Sequence, residues 1–286
     1  MLLVLGLRPV LAAGSYSFTP LAVPFPGANE TIPSGINDLG TIVGTYEVAA
    51  TEHGFVLQEG TYTSFDPPGS TFTVAGGINV RGEIVGTYNS GHGFILQGSV
   101  FTNIDLPGAD ILLTRAIGIN NRREIVGRYT KIGGGGDAFL RERDQFISLD
   151  TPFPGGGVAN AINDRGEIVG IYTGSDGQVH GFLKKGSAST NIDFPSPGVI
   201  LTEAAGINNK GEIVGTYLDS DHVAHGYILA KGEYTTVDFS LPDILDVAGT
   251  DVLGINNLGE IVGVYTRQSE PGRNAGFLGK PLKAGQ

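Results

Sequence analysis

The sequence predicts an all-β fold, a six-bladed β-propeller built from four-stranded blades. One phrase recurs six times along the 286 residues, at intervals of 41 to 48 residues. Periods of about 40 to 50 residues are typical of propeller blades or helical arrays. The repeated segments are rich in β-branched and aromatic residues, are flanked by Gly and Asn, and lack the 3.6-residue apolar period of a helix. Strands are therefore favoured, and helical arrays are excluded.

The first two strands of each repeat are predicted to form a hairpin. The repeated phrase reads G-I-N-x-x-G-x-I-V-G-x-Y, and its Asn joins two strand-like halves. Asn followed three residues later by Gly is typical of a type I turn closed by a left-handed Gly, with the Asn side chain capping its own turn. Turn capping predicts a structural role for all six residues: Asn37, Asn79, Asn120, Asn163, Asn208 and Asn256.

A third and a fourth strand complete each predicted blade. The third begins with H-G-F or a variant of it, and four repeats carry the His, at His53, His92, His180 and His225. The fourth carries an Asp after an apolar residue, at Asp66, Asp105, Asp150, Asp193 and Asp238. Because a metal site needs several ligands at one point and these His lie in different blades, we expect hydrogen bonds within each blade, with the Asp as candidate partner.

The two chain ends predict how the ring closes. Only five fourth strands follow a third strand, whereas residues 16–27 align with the fourth strands. The N-terminal segment should therefore be the outer strand of the sixth blade, which protects an open sheet edge. One propeller domain is predicted for residues 16–280, followed by a tail at 281–286. Residues 1–15, of which the first thirteen are apolar apart from Arg8, predict a secretory signal peptide or, alternatively, a disordered arm.

The repeated phrase followed by H-G-F resembles the HAF-type extracellular repeats of bacterial secreted proteins. The likeness covers nearly the whole chain after residue 15. It implies a propeller-like protein that is secreted or periplasmic, and it implies no particular reaction. The chain departs from the pattern at Arg123 in the turn-Gly position, at Asp137 and Ala138 in place of His-Gly, and at Ala275 in place of His.

Composition and charge exclude several classes of function. The chain has no Cys, so thiolate metal sites and cysteine nucleophiles are absent. A net charge of −11 disfavours nucleic acid and anionic membrane surfaces. No apolar run is long enough for membrane insertion. We expect a monomer that holds neither a metal nor a cofactor.

Candidate binding residues lie where the repeat is broken. Arg115, Glu203 and Asp251 occupy equivalent positions after the innermost-strand Thr, where three other repeats have apolar residues. The variable loops between the second and third strands should lie on the same rim of the propeller as these three residues. Binding residues concentrate on such loops over a rigid scaffold. Thr hydroxyls near the axis could also contact a polar ligand. The remaining candidates are Thr114, Thr202, Asp219, Asp221, His222, Arg267 and Arg273.

Three functions remain open at this point. The first is a binding module that recognises a glycan or a surface protein on its loop-rich face, favoured because no catalytic motif is found. The second is a carbohydrate-active hydrolase or lyase with Arg115, Glu203 and Asp251 at the channel mouth, where paired carboxylates could act as acid and base. The third is a purely structural module of the cell envelope.

Overall fold

The structure, a computed structural model, describes residues 16–89, 91–149 and 156–282. It confirms the predicted fold: these residues form six four-stranded antiparallel sheets that contact one another in a ring. The predicted signal or arm at 1–15, Asp150 and residues 283–286 of the tail lie outside the described residues. Within the described ranges, no helix has the length and apolarity needed to cross a membrane.

The two inner strands of each blade form the predicted hairpin. The innermost strands are β2 (Ala28–Ile36), β6 (Thr73–Ile78), β10 (Ile111–Ile119), β14 (Gly157–Ile162), β18 (Leu201–Ile207) and β22 (Val247–Ile255). The second strands are β3 (Ile42–Val48), β7 (Ile84–Tyr88), β11 (Ile125–Lys131), β15 (Ile168–Thr173), β19 (Ile213–Leu218) and β23 (Ile261–Arg267).

The two outer strands complete each sheet. The third strands are β4 (Thr51–Gln58), β8 (His92–Gln97), β12 (Gly136–Glu142), β16 (Val179–Lys185), β20 (Ala224–Ala230) and β24 (Glu270–Pro281). The outer strands are β5 (Thr61–Phe65), β9 (Val100–Asn103), β13 (Gln145–Ser148), β17 (Ala188–Ile192), β21 (Glu233–Thr236) and, for the sixth blade, β1 (Tyr16–Leu21).

The ring closes as predicted, because the N-terminal strand joins the last blade. The sixth sheet has the order β1-β24-β23-β22, and the register runs from Tyr16 opposite Pro281 to Leu21 opposite Gly276. The Phe18 ring packs against Phe239 and Phe277, with ring centroids 5.4 Å from each. Both chain ends therefore contribute to one sheet and one apolar cluster.

Each blade presents two different ends to solvent. The loop-rich face carries the loops between second and third strands and the connections into the next blade. The turn face carries the Asn turns and the turns between third and outer strands. The Asn turns have the predicted geometry, with a left-handed fourth residue at φ between 66° and 82°. This residue is Gly in five blades and Arg123 in the third. The Arg123 backbone is strained there, and its side chain reaches the second blade, with Nε 3.3 Å from Glu83 Oε1.

The six turn Asn residues also connect the blades to one another. Each Asn Oδ1 accepts hydrogen bonds from two backbone N–H groups of its own turn, as Asn163 does from Arg165 and Glu167. Each Nδ2 donates to the backbone carbonyl of the Asn in the next blade, at 3.0 to 3.2 Å, and Asn256 donates to Asn37. The result is a closed ring of six hydrogen bonds around the axis, which capping alone did not predict.

A Glu four residues after the Asn completes this network in five blades. Its Oε2 accepts the second Nδ2 hydrogen of the Asn, at 2.6 Å for Asn163 and Glu167. Burial would raise the pKa of Glu167, but hydrogen bonds from Lys185, Asn163 and Arg165 outweigh it and lower that pKa to about 2. The first blade differs, because Thr41 stands where the others have Glu.

Apolar residues fill the space between neighbouring blades. One cluster joins Val126 and Leu149 of the third blade to Ile168 and Phe182 of the fourth. Within each blade, the aromatic residue of the third strand packs over the Gly of the I-V-G segment. At Gly215 an added Cβ would overlap the carbonyl oxygen of Glu203, so the close approach of the two inner strands requires Gly.

The residue before each Asn narrows the central channel. It is Ile in all six blades, at Ile36, Ile78, Ile119, Ile162, Ile207 and Ile255. These side chains are only 5 to 9% exposed. They line both a large cavity on the loop-rich side and a small one at the Asn ring, and so form an apolar partition between the two.

Candidate functional site

The candidate site is the cavity that occupies the channel on the loop-rich side of the Ile partition. Its volume is about 770 Å³. Because the innermost strands of all six blades approach the axis here, small residues such as Gly76 and Ala205 form much of its wall. The Ile partition forms its floor, and Ile117, Ile171 and Leu253 add further apolar surface. The cavity is therefore a cup, with an apolar base and an opening on one face.

Charged side chains line the mouth of this cup. Arg115 and Glu203, both predicted from the broken repeat, line the cavity. Asp251 occupies the position equivalent to Glu203 on the next innermost strand. Burial, followed by the nearby Asp251 charge, raises the pKa of Glu203. Burial also raises the pKa of Asp251, opposed by a hydrogen bond with Thr216. The structure thus brings the three predicted mouth residues to one region.

Two further lining residues, Glu52 and Phe72, were not predicted. Glu52 lies on β4 of the first blade, and its pKa is raised by burial and then by Glu47 and Glu30, whereas Arg115 lowers it. Phe72 lies in the connection into the second blade. The sequence signal at this part of the cavity is a loop-length difference, because only three residues separate Tyr88 from His92 at the start of β8, against six to nine at the equivalent place in the other blades. Asn89 and Gly91 of this short loop line the cavity themselves.

The structure corrects the placement of Thr114 and Thr202. Both side chains are buried, and neither lines the cavity. The Thr114 hydroxyl accepts a hydrogen bond from the Leu106 N–H at 2.9 Å, and that of Thr202 accepts one from the Phe194 N–H at 3.0 Å. These hydroxyls therefore hold the connection between successive blades. Alternation along the strand sends them into the interface between blades instead of toward the axis.

The predicted loop residues of the fifth blade lie apart from the cavity. Asp219 accepts hydrogen bonds from the N–H groups of Asp221 and Val223, and so stabilises its own turn. Asp221 and His222 are exposed in that turn, where His222 has a left-handed φ of 61°. None of the three lines the cavity. They therefore lie on the same loop-rich face as Arg115 but do not contribute to the cavity that Arg115 lines.

Arg267 and Arg273 also lie away from the central cavity. They line a smaller cavity of about 220 Å³ between the sixth and first blades. Arg267 pairs with Asp246 at 2.9 Å, and Arg273 pairs with Glu270 at 3.0 Å. Because each guanidinium already has a carboxylate partner, these residues stabilise the loops of the sixth blade.

The repeated His residues form the predicted pairs within their own blades. His53, His92, His180 and His225 each lie 2.7 to 3.0 Å, through Nδ1, from the Asp of the outer strand. Each ring also packs on the Tyr that ends the I-V-G-x-Y segment, with ring centroids 5.0 to 5.5 Å apart. In the described part of the chain, no three acidic or His side chains are grouped so that they could hold a metal ion.

Negative charge is concentrated on the loop-rich face. Among the described residues, this face carries five basic side chains, Arg115, Arg128, Lys131, Arg267 and Arg273. The turn face carries eleven acidic and eleven basic side chains. The seventeen acidic side chains of the loop-rich face are Glu30, Glu47, Glu52, Asp66, Asp105, Asp110, Asp137, Asp176, Asp193, Glu203, Asp219, Asp221, Asp238, Asp243, Asp246, Asp251 and Glu270. The acidic excess of the described chain therefore surrounds the mouth of the cavity.

Comparison with known proteins identifies the fold alone. No family model and no curated protein matches the chain. AofleA from Arthrobotrys oligospora is 11% identical, with a TM-score of 0.51 over 90% of this chain and 84% of that one. A puromycin-hydrolysing peptidase from Mycobacterium tuberculosis is 10% identical, with a TM-score of 0.51 over 90% of this chain and 52% of that one. The fucose-specific lectin from Aleuria aurantia is 9% identical, with a TM-score of 0.49 over 92% and 99%.

Proposed function

We propose that this propeller is a carbohydrate-binding module whose central cavity takes one or two sugar residues of a glycan. The single observation that carries the proposal is the cavity itself. It offers about 770 Å³ with an apolar base and charged side chains from separate blades at its mouth. Ligand pockets of about 300 to 1,000 Å³ combine an apolar lining with a few placed polar groups in this way.

The chemistry at the mouth supports a hydroxyl-rich ligand. A sugar presents apolar C–H faces together with hydroxyl groups that both donate and accept hydrogen bonds. Phe72 and Leu253 offer apolar surface, and Arg115 and Glu203 offer a donor and an acceptor. By contrast, the repeated Asn, Thr and His side chains make hydrogen bonds inside the scaffold. The polar groups left for a ligand are those where the blades differ.

Location and family membership are part of the same proposal. The resemblance to HAF-type extracellular repeats and the apolar segment at residues 1–13 support a secreted or periplasmic protein. We propose that it acts there as a monomer. Mass determination of the protein released from expressing cells tests removal of the N-terminal segment, and light scattering after size-exclusion chromatography tests the monomer.

A glycan array with purified protein tests the proposed function. The variant Arg115→Ala removes the basic residue at the cavity mouth, and Arg273→Ala removes an exposed guanidinium of the smaller cavity as a matched control. We expect binding to a limited set of glycans, weakened at least tenfold by Arg115→Ala and unchanged by Arg273→Ala. Equal loss in both variants, or no binding to any glycan, would contradict the proposal.

A second candidate function, glycoside cleavage, is favoured by one observation. Glu203 and Asp251 are neighbouring carboxyl groups whose pKa values are both raised by burial. A carboxyl group with a raised pKa can remain protonated and act as a general acid beside an ionised partner. Product analysis with any glycan that binds tests this function, with Glu203→Gln as the inactive control. An unchanged glycan after prolonged incubation would leave binding as the sole activity.

A further inference from the structure

The cavity mouth carries more negative charge than its own side chains neutralise. Glu52 and Glu203 line the cavity, and Asp251 lies beside Glu203, whereas Arg115 is the one basic residue of the lining within the described chain. None of these four side chains forms an ion pair within 4 Å in the described ranges. On the turn face, by contrast, the buried Glu83 lies within 3.3 Å of both Arg81 and Arg123.

Unpaired carboxylates in a partly buried cavity favour a cation. Burying a carboxylate without a cationic partner is costly, and a ligand that supplies the opposite charge offsets this cost on binding. The raised pKa values of Glu203 and Asp251 reflect the same desolvation. A positively charged ligand is also attracted from a distance, because the surrounding loop-rich face has seventeen acidic and five basic side chains.

The carboxylates come from three blades. Glu52 of the first blade and Glu203 of the fifth line the cavity, and Asp251 of the sixth lies next to Glu203. The apolar base of the Ile partition lies below them, and Phe72 lines the cavity from the connection into the second blade. The cavity therefore suits an organic cation that combines an ammonium group with apolar ring faces.

We infer that the preferred ligand of the cavity is a sugar with a free amino group, whose ammonium is held by Glu203 and Asp251. This inference rests on the proposed carbohydrate-binding function and specifies its ligand class. Acetylation of the amino group removes its positive charge and adds an acetyl group, but it keeps the sugar ring and all of its hydroxyls. An amino sugar and its N-acetyl form therefore differ in the charge that the carboxylates recognise, and a neutral sugar without the acetyl group controls for the added bulk.

Isothermal titration calorimetry of the full chain tests the inference. The probes are a β-1,4-linked glucosamine disaccharide, its di-N-acetyl form and lactose as a neutral sugar. We expect the free amine to bind at least tenfold more tightly than the other two, with an affinity that falls as salt is added. Glu203→Gln and Asp251→Asn keep the side-chain shape and should each remove most of this preference.

A matched control separates the cavity from general charge. Glu233 is exposed on the turn face, so Glu233→Gln changes the net charge equally and should leave the preference intact. Thermal unfolding of each variant checks the fold, and Asp251→Asn replaces Glu203→Gln if the latter unfolds. If the N-acetyl form or lactose binds as tightly as the amine, this inference is overturned and carbohydrate binding stands. If glycans bind neither here nor on the array, the proposed function itself fails.

Discussion

Replacing one turn Asn by Asp tests whether the Asn ring stabilises the propeller. In Asn163→Asp, the remaining oxygen still accepts from the turn N–H groups, but both Nδ2 hydrogen bonds are lost. These bonds run to Glu167 Oε2 at 2.6 Å and to the Asn208 carbonyl at 3.0 Å. A hydrogen bond to a charged group contributes about 1.5–3 kcal/mol and a neutral one about 0.5–1.5 kcal/mol, so the free energy of unfolding should fall by about 2–4.5 kcal/mol.

Asn37→Asp is the matched control, because the first blade has Thr41 where Glu167 lies in the fourth. Asn37 Nδ2 donates to the Asn79 carbonyl, so this variant should lose about 0.5–1.5 kcal/mol. Thermal unfolding at pH 7 should then place the melting temperature of Asn163→Asp roughly 3–12 °C below that of the control, at about 2–4 °C per kcal/mol.

The pH dependence of the same variant gives a second readout. Burial and the Glu167 charge should raise the folded-state pKa of the introduced carboxyl above its unfolded value. The destabilisation is then largest at neutral pH, and it decreases as the pH falls through the raised pKa, because protonation restores one donor. Equal losses of stability in the two variants at every pH would refute the proposed role of the ring.

Three further predictions concern closure, pH and packing. Deleting residues 16–27 removes β1 and should lower the melting temperature by more than 10 °C, which calorimetry will measure, whereas an unchanged melt would exclude closure by this strand. Burial alone would lower the pKa of His225, but its two Asp partners raise it. The pairing therefore contributes less than about 1 kcal/mol to the free energy of unfolding, which is present below pH 6.5 and lost as the pH rises through the raised pKa. Proton NMR of wild type and His225→Gln between pH 6 and 9 tests this. Loss of the His225 proton should weaken its contact with Asp219 and release the Asp219 loop, so this pH-dependent change should be absent in the variant. Gly215→Ala should lower the free energy of unfolding by about 1–3 kcal/mol in chemical denaturation, because its Cβ overlaps the Glu203 carbonyl, and a neutral effect would contradict the close strand approach.

Those features of the fold that repeat were predictable from sequence. Six copies of one phrase identified the strands, the turns and the closing strand, because local propensity and turn chemistry act within each copy. The pairing of His180 with Asp193 was also accessible, since both positions recur at a constant offset. The hydrogen bond from the Asn37 side chain to the Asn79 carbonyl was not predictable, because it depends on how one blade is rotated against the next.

The candidate site was only partly predictable, because its residues lie at positions where the six repeats differ from one another. Arg115 and Glu203 stand out in an alignment of the six copies, and both line the cavity. Thr114 was misplaced because a residue near the axis need not face the axis, and only the packing between blades shows that its hydroxyl is enclosed. Glu52 was missed because its contact with the cavity depends on the three-dimensional path of the hairpin between β3 and β4.

The Ile partition limits how a polymer could engage this propeller. Its six side chains divide the channel, so a chain that enters from the loop-rich face reaches a dead end. A polysaccharide cannot thread through the molecule, and its internal units cannot reach the base unless they carry a side branch. Whatever occupies the cup must present a terminus or a branch tip and must leave by the opening through which it came. The number of binding sites on a polysaccharide would then depend on how many chain ends or branch tips it has, and not on its length.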